Sequence, residues 1–316
     1  MSEKYKQLTD QMVQQISQVL IGKNQQIRMT LSCFIAGGHL LLEDVPGLGK
    51  TTLAKGLAGC FDLDYNRIQC TPDLMPSDIT GITIYNQKSE RFEFIKGPVF
   101  SNILLADEIN RTNPRTQSAL LESMAEATVT IDRDTHQLTQ PFFVIATQNP
   151  IEFSGTYPLP EAQMDRFMMK ISLGYSSQSS EIKMMKSQQY NHKRPQVKAL
   201  FKAGHILKLR QQAEKVLITD DVFKYISDLV TATRKHHDLL IGASPRASLA
   251  LMKCGQVLSL LEGQNHVSPQ TIQTLVRPVL EHRLLFKERQ MNDQDKTKFF
   301  NQFLNDVHVP DNPKAV

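Results

Sequence analysis

The stretch from His39 to Cys60 constrains the fold more than any other part of the chain. Three consecutive leucines in His39-Leu-Leu-Leu-Glu43 read as a short strand covered on both faces. The run Asp44-Val45-Pro46-Gly47-Leu48-Gly49-Lys50-Thr51-Thr52 comes next, and Thr52–Cys60 continues with helical periodicity. A strand that turns on glycine into a helix is the opening of a parallel sheet, because parallel neighbours must be joined by a crossover.

More short β-rich or apolar runs recur at wide intervals, at Tyr65–Gln69, Ile103–Ala106, Phe142–Thr147 and Phe167–Ile171, with a helical stretch at Arg115–Glu126. Ahead of them, Thr9–Ile35 reads as helical with a break at Ile21-Gly22-Lys23. Two stretches, near 82–99 and 128–140, alternate around polar turns as hairpins do.

Past about residue 175 the pattern predicts helices only. Thr219 opens one with Val222, Ile226, Leu229 and Val230 on a single face. Ser244-Pro245 opens another, striped by Ala247, Leu251, Cys254, Leu258 and Leu261, and Ser268-Pro269 a third, with Ile272, Leu275, Val276 and Val279. Residues from about 290 to 316 are expected to form a last helical piece and a loose tail. A cleft where the two textures meet is the expected place for a ligand.

The 316 residues suffice for one large α/β domain and a smaller helical one. The formal net charge of +4 is spread along the chain, so no basic stripe points to nucleic acid, and none is expected as a partner. Four cysteines, Cys33, Cys60, Cys70 and Cys254, form no Cys-x-x-Cys pair and read as buried free thiols in a reducing compartment. The polar N-terminus does not resemble a signal peptide, and no apolar run nears the roughly 20 residues that span a bilayer. A soluble, cytoplasmic protein without membrane insertion is expected.

Chemistry concentrates in three places. Gly47 and Gly49 let the backbone curl so that several N–H groups converge on phosphate oxygens, with the helix dipole behind them. Lys50 would reach the β- and γ-phosphates and the Thr51 hydroxyl a Mg²⁺ ion. The strict form of this loop has glycine where Asp44 stands, and a short polar residue is expected there in the left-handed conformation. In Asn102-Ile-Leu-Leu-Ala-Asp107-Glu108, a buried strand delivers two carboxylates: Asp107 for the metal and Glu108 as general base. The strand Phe142–Thr147 ends in Gln148-Asn149-Pro150. Asn149 there is either a hydrogen-bond partner for attacking water or an ordinary loop asparagine ahead of proline. His136, His236, His237 and His266 lack a further ligand at metal spacing and read as surface residues.

Several runs together make a wider resemblance. They are Gly37–Thr51, Thr71-Pro-Asp-Leu-Met-Pro-Ser-Asp-Ile-Thr-Gly81, Leu104-Leu-Ala-Asp-Glu-Ile-Asn-Arg111, Thr116-Gln-Ser-Ala-Leu-Leu-Glu122, Phe142–Pro150, Gly155–Phe167 and Ser244-Pro-Arg246. The chain resembles the MoxR family of AAA+ ATPases over nearly its whole length, and Asp44 in the loop is a trait of that family.

The resemblance implies an α/β fold: an αβα sandwich around a mostly parallel five-stranded sheet, plus a small all-α lid domain. The expected ranges are 1–175 for the nucleotide-binding core, 176–290 for the lid and 291–316 for a C-terminal piece. It implies binding of ATP and Mg²⁺ by Asp44–Thr52, with Ile21 and Gly22 near the adenine, and hydrolysis. Asn149 matches the sensor that positions water, Arg246 the lid sensor of the γ-phosphate, and Arg166 the arginine finger given to the neighbouring subunit. Arg111 is a weaker candidate at the subunit-facing side.

The implied assembly is a homo-oligomeric ring, a hexamer, acting as a chaperone-like remodeller on a protein client. The hairpins would grip the client, and a partner carrying a von Willebrand factor A domain would assist. Two alternatives stand beside this: a nucleic-acid-linked motor, which the charge distribution disfavours, and a nucleotide-regulated scaffold with little turnover.

Overall fold

The computed structural model describes residues 2–132, 134–150, 155–190, 197–288 and 291–310. Arg133 in the second hairpin and the end of the expected tail, 311–316, lie outside the described residues. Two helices come first, α1 (Ser2–Ser17) and α2 (Asn24–Ile35), with the break around Gly22 between them. The sheet portion runs β1 (Leu40–Glu43), α3 (Lys50–Phe61), β2 (Tyr65–Gln69), α4 (Pro76–Thr80), β3 (Gly81–Asn86), β4 (Arg91–Lys96) and β5 (Ile103–Asp107). It continues with α5 (Pro114–Glu126), β6 (Thr128–Ile131), β7 (Asp134–Gln137), β8 (Phe143–Gln148), α6 (Glu161–Met164) and β9 (Met169–Ile171).

Five strands make one sheet in the order β2-β5-β8-β1-β9, and every pairing in it is parallel. Parallel strands put their C-terminal ends on a single edge, where ligands of such sheets bind. Alternate residues feed two cores. Leu40, Leu42, Ile103, Leu105, Phe143 and Ile145 join one, together with α1, α2 and α3. Leu41, Leu104, Ala106, Val144 and Ala146 join the other, under α5. This explains why β1, β5 and β8 are apolar at consecutive positions. His39, just before β1, is buried, and burial pulls its pKa down to about 4, so the ring is neutral. It then donates from Nε2 to the Met124 carbonyl (3.0 Å) and accepts the Val144 N–H at Nδ1 (3.0 Å).

Helices dominate the remainder of the chain: α7 (Gln178–Tyr190), α8 (Ala203–Ala213), α9 (Asp220–Lys235), β10 (Leu239–Ile241), α10 (Pro245–Leu261), α11 (Pro269–Leu280), β11 (Leu285–Phe286) and α12 (Asp293–Asp306). The apolar stripes of α9, α10 and α11 are buried, and they are continuous with the first sheet core. Ser244 and Ser268 cap their helices by accepting from the N–H of Arg246 and Thr271. Thr219 occupies the cap position of α9, yet its hydroxyl makes no cap bond. A second departure from helices alone is the antiparallel pair β10–β11. Three residues or fewer per strand leave no periodicity to read, and only the partner strand stabilises such a ladder.

The antiparallel pairs β3–β4 and β6–β7 stand off the sheet. Phe94 stacks on His136 at 4.4 Å and ties one hairpin to the other, so His136 is a packing residue. Phe92 stays 75% exposed, edge-on to Tyr85 of the same hairpin.

Candidate active site

The loop between β1 and α3 is built on two glycines in the left-handed region, Gly47 at φ 88° and Gly49 at φ 100°, which other residues enter only with strain. Gly49 is the N-cap of α3, so the first N–H groups of that helix face the loop. A side chain at Gly47 would meet only open space, whereas one at Gly49 would strike Leu20. The segment before Gly22 thus forms one wall of the loop. Leu48 packs against the core, and Thr51 and Thr52 are half-buried in the first helical turn.

Lys50 is buried, and its ammonium donates to the Asp44 carbonyl at 2.9 Å, closing the loop on itself. Asp44 departs from expectation. It is not among the residues with positive φ, so it does not supply a left-handed turn. Its carboxylate points away from the loop and accepts from Ser172 Oγ (2.6 Å), Leu173 N–H (2.7 Å) and Gly174 N–H (3.0 Å). The side chain therefore turns away from the loop, and only the backbone carbonyl faces Lys50.

The carboxylate corner lies at the end of β5. Glu108 takes φ 59°, left-handed for a non-glycine residue, and this turns its side chain sharply from that of Asp107. Thr147, at the end of β8 and fully buried, holds both. Its hydroxyl donates to Asp107 Oδ1 at 2.6 Å and accepts the Glu108 N–H at 2.9 Å. Asp107 Oδ2 accepts from Arg67 at 2.8 Å, and Glu108 Oε2 accepts from Gln69 (2.9 Å) and Arg111 (3.0 Å). Arg111 is thus held at the Glu108 carboxylate. Asn149 lies just past β8 and is buried, 7% exposed. Because β8 lies between β5 and β1, the two acids, Asn149 and the glycine loop share one edge of the sheet.

The arginines gather at a different place, the seam between the sheet and the later helices. Arg166 is half-buried and donates to the Leu121 carbonyl at 2.6 Å, not to its neighbour Asp165. Asp165 instead accepts from Ser244 Oγ (2.9 Å) and from buried Arg283 (2.8 Å), with Arg246 at 3.8 Å. Arg246 is 62% exposed, so it has room to swing from this seam. Arg283 and His282 also donate to the Phe167 carbonyl. A second ionic node crosses the same seam: Lys170 on β9 pairs with Glu43 on β1 and with Glu281 at the end of α11. Burial opposes the charge of Glu281, but Lys170, Lys296 and Arg277 outweigh it and hold the carboxyl at about 2.

Ile21 and Gly22 pass between the loop and α7. Gly22 is left-handed at φ 79°, and a Cβ there would collide with Ser180. Lys23 is buried and donates to the carbonyls of Gly174 (2.9 Å) and Tyr175 (2.7 Å). Burial lowers its pKa, with Asp44 and Glu181 pulling the other way.

Sequence reasoning missed Thr147, Gln69, Arg67, Lys23, Asp165 and Arg283 as parts of this region. An apolar strand ending in Thr was the only local sign of the first. It also overlooked Asp238, which brings an oxygen within 4.8 Å of ring nitrogens of His236 and His237. Those two rings stack at an interplanar angle of 16°, so their in-plane lone pairs run side by side and do not converge on one ion. His236, wedged against Phe299, is a packing residue and not a surface one.

Comparison with known proteins settles the family. A model described as "ATPase family associated with various cellular activities (AAA)" matches residues 39–169, and one described as "AAA lid domain" matches 231–301. Chaperone MoxR1 of Mycobacterium tuberculosis is 39% identical over 94% of this chain and 81% of its own length. The chain belongs to the MoxR family of AAA+ ATPases. The Bacillus subtilis protein YeaC, described as uncharacterized, is 44% identical over 96% of this chain and 95% of its own. A crystal structure of a candidate ATPase from Cytophaga hutchinsonii superposes with TM-score 0.87 at 39% identity, covering 98% of this chain and 97% of that one. The MoxR chain thus has the AAA+ α/β fold with a helical lid region.

Proposed function

We propose that this MoxR-family chain binds ATP with Mg²⁺ between the loop Asp44–Thr52 and the Asp107–Glu108 corner and hydrolyses it as one subunit of a ring. The observation that carries the reading is the sharing of one sheet edge by the glycine loop, both carboxylates and Asn149. The donor set suits the metal: Thr51 hydroxyl and Asp107 carboxylate are the hard oxygen ligands Mg²⁺ prefers. When bound, Mg²⁺ neutralises charge on the β- and γ-phosphate oxygens.

The chain's own groups do the rest. Lys50 exchanges the Asp44 carbonyl for phosphate oxygens. Glu108 accepts the proton of the attacking water, and Asn149 orients that water. Arg166 acts on the ATP of the neighbouring subunit, where such a finger is worth on the order of 10³–10⁵ in rate. Arg246 leaves Asp165 for the γ-phosphate, which draws the lid (176–290) toward the core (1–175). Helix α12, in the expected C-terminal piece, rides on the lid, as its packing on α11 supports.

The chaperone-like role, the hexamer, a protein client and a partner with a von Willebrand factor A domain belong to the same reading. The exposed rings of Tyr85 and Phe92 on β3–β4 support a grip on a client. Four buried free cysteines support a reducing, cytoplasmic setting, and among the described residues no helix is long and apolar enough to cross a membrane.

The deciding experiment is phosphate release with Mg-ATP, alongside light scattering to weigh the assembly. Turnover that depends on Lys50 and on oligomers is expected. Turnover at full rate by a monomer would exclude the ring mechanism, and undetectable turnover with tight binding would favour the scaffold.

A further inference from the structure

A short strap, residues 172–175, carries the chain from β9 toward α7, and two buried opposite charges grip it. The Asp44 carboxylate accepts from the Ser172 hydroxyl and from the N–H groups of Leu173 and Gly174, at 2.6, 2.7 and 3.0 Å. The Lys23 ammonium donates to the carbonyls of Gly174 and Tyr175, at 2.9 and 2.7 Å. Asp44 is 4% and Lys23 also 4% exposed. Past Leu173 the strap has little else to hold it, since Gly174 lacks a side chain and that of Tyr175 is 78% exposed.

Phosphate loops of the strict pattern carry glycine at the position of Asp44, so curvature around phosphate does not require a carboxylate there. Burying one is costly unless it is fully hydrogen-bonded. Here every donor to it comes from the strap or lies beside it. The same residue also faces the nucleotide site, because its carbonyl holds the Lys50 ammonium at 2.9 Å. Lys50 cannot turn to a phosphate without releasing that carbonyl. Asp44 is thereby joined to Lys50 through its backbone and to the strap through its side chain.

We propose that Asp44 is a positioning residue that couples occupancy of the phosphate loop to the seating of strap 172–175, and through the strap to the lid. This rests on nucleotide binding at the loop, as proposed above. Lys23 holds the strap from the opposite side and links it to the Leu20–Gly22 wall. Loop, wall and strap therefore move as a unit, and release of the Asp44 carbonyl by Lys50 is the trigger.

The test uses the full chain with dyes on Ala125→Cys in α5 and Gln270→Cys in α11, both exposed sites; the four native cysteines are buried. Energy transfer between the dyes is read without and with Mg-ATP in a Glu108→Gln background, and kcat and KM are measured without it. Asp44→Gly, which restores the strict loop, is expected to bind a fluorescent ATP analogue within threefold of the parent. It should lose the nucleotide-dependent change in transfer and at least tenfold in kcat, with KM little moved.

Retention of both the change and kcat in Asp44→Gly would overturn the proposal, as would loss of binding itself. So would the absence of any nucleotide-dependent change in the parent. Should Asp44→Gly not fold, Lys23→Met replaces it, with the same expected loss and the same overturning result. Lys50→Ala separates the two readings: normal analogue binding in that variant refutes the nucleotide site, whereas lost binding there with an unaltered Asp44→Gly refutes only the coupling.

Discussion

Replacing Thr147 by valine removes one hydroxyl and keeps the shape of the side chain, so its effect isolates two hydrogen bonds. One runs to the Asp107 carboxylate at 2.6 Å, the other from the Glu108 N–H at 2.9 Å, and the residue is fully buried. A hydrogen bond to a charged group contributes about 1.5–3 kcal/mol, and an orphaned buried N–H costs about 1–3 kcal/mol. The variant should therefore lose roughly 2.5–6 kcal/mol of stability, measured by denaturant unfolding followed by circular dichroism. Glu108 sits in a strained left-handed conformation that this bond helps to hold. If about 2 kcal/mol of that restraint acts on the transition state, kcat falls about 30-fold, since each 1.36 kcal/mol is tenfold. Steady-state phosphate release should show the fall in kcat with KM within about threefold. Thr147→Ser, which keeps the hydroxyl, should restore most of it. A kcat for Thr147→Val within twofold of the parent, in intact rings, would refute the assignment of Thr147 as the holder of the carboxylate corner.

The same geometry sets other expectations. Glu108→Gln should slow hydrolysis by about 10²–10⁴ while nucleotide still binds, checked by phosphate release and retention of labelled ATP on a filter. Arg166→Ala and Lys50→Ala should each be inactive alone, yet regain turnover when mixed, because one supplies the intact loop and the other the intact finger; no gain on mixing would place Arg166 in its own subunit's site. Glu281 should make the core–lid seam acid-sensitive. Its folded carboxyl, at about 2 against the usual 4.5, resists protonation, so the stabilisation is complete above about 4.5 and disappears as pH falls toward 2. That difference amounts to about 3 kcal/mol, and Glu281→Gln should flatten the unfolding free energy across this window.

The features legible in the sequence and those hidden from it divide along the range of the interactions. Three leucines, two glycines and a helical run within 39–60 determine a strand, a turn and a helix, because each rests on neighbours a few residues away. The consecutive apolar residues of 40–42, 103–106 and 142–146 likewise announce strands covered on both faces, and β1, β5 and β8 are buried on both. Family resemblance named candidate residues by type and position. It did not say what they touch.

The partners of those residues were decided by tertiary structure alone. Asp44 looks in sequence like a blemish in a glycine loop; folded, it finds its donors 128 to 130 residues away on the strap. Asp165 and Arg166 are neighbours in sequence, yet the first turns to Ser244, Arg246 and Arg283 and the second to a backbone carbonyl. Local sequence cannot rank such choices. A buried charge takes whichever donors the packing brings within about 3 Å, and that packing is set by helices and strands far apart in the chain.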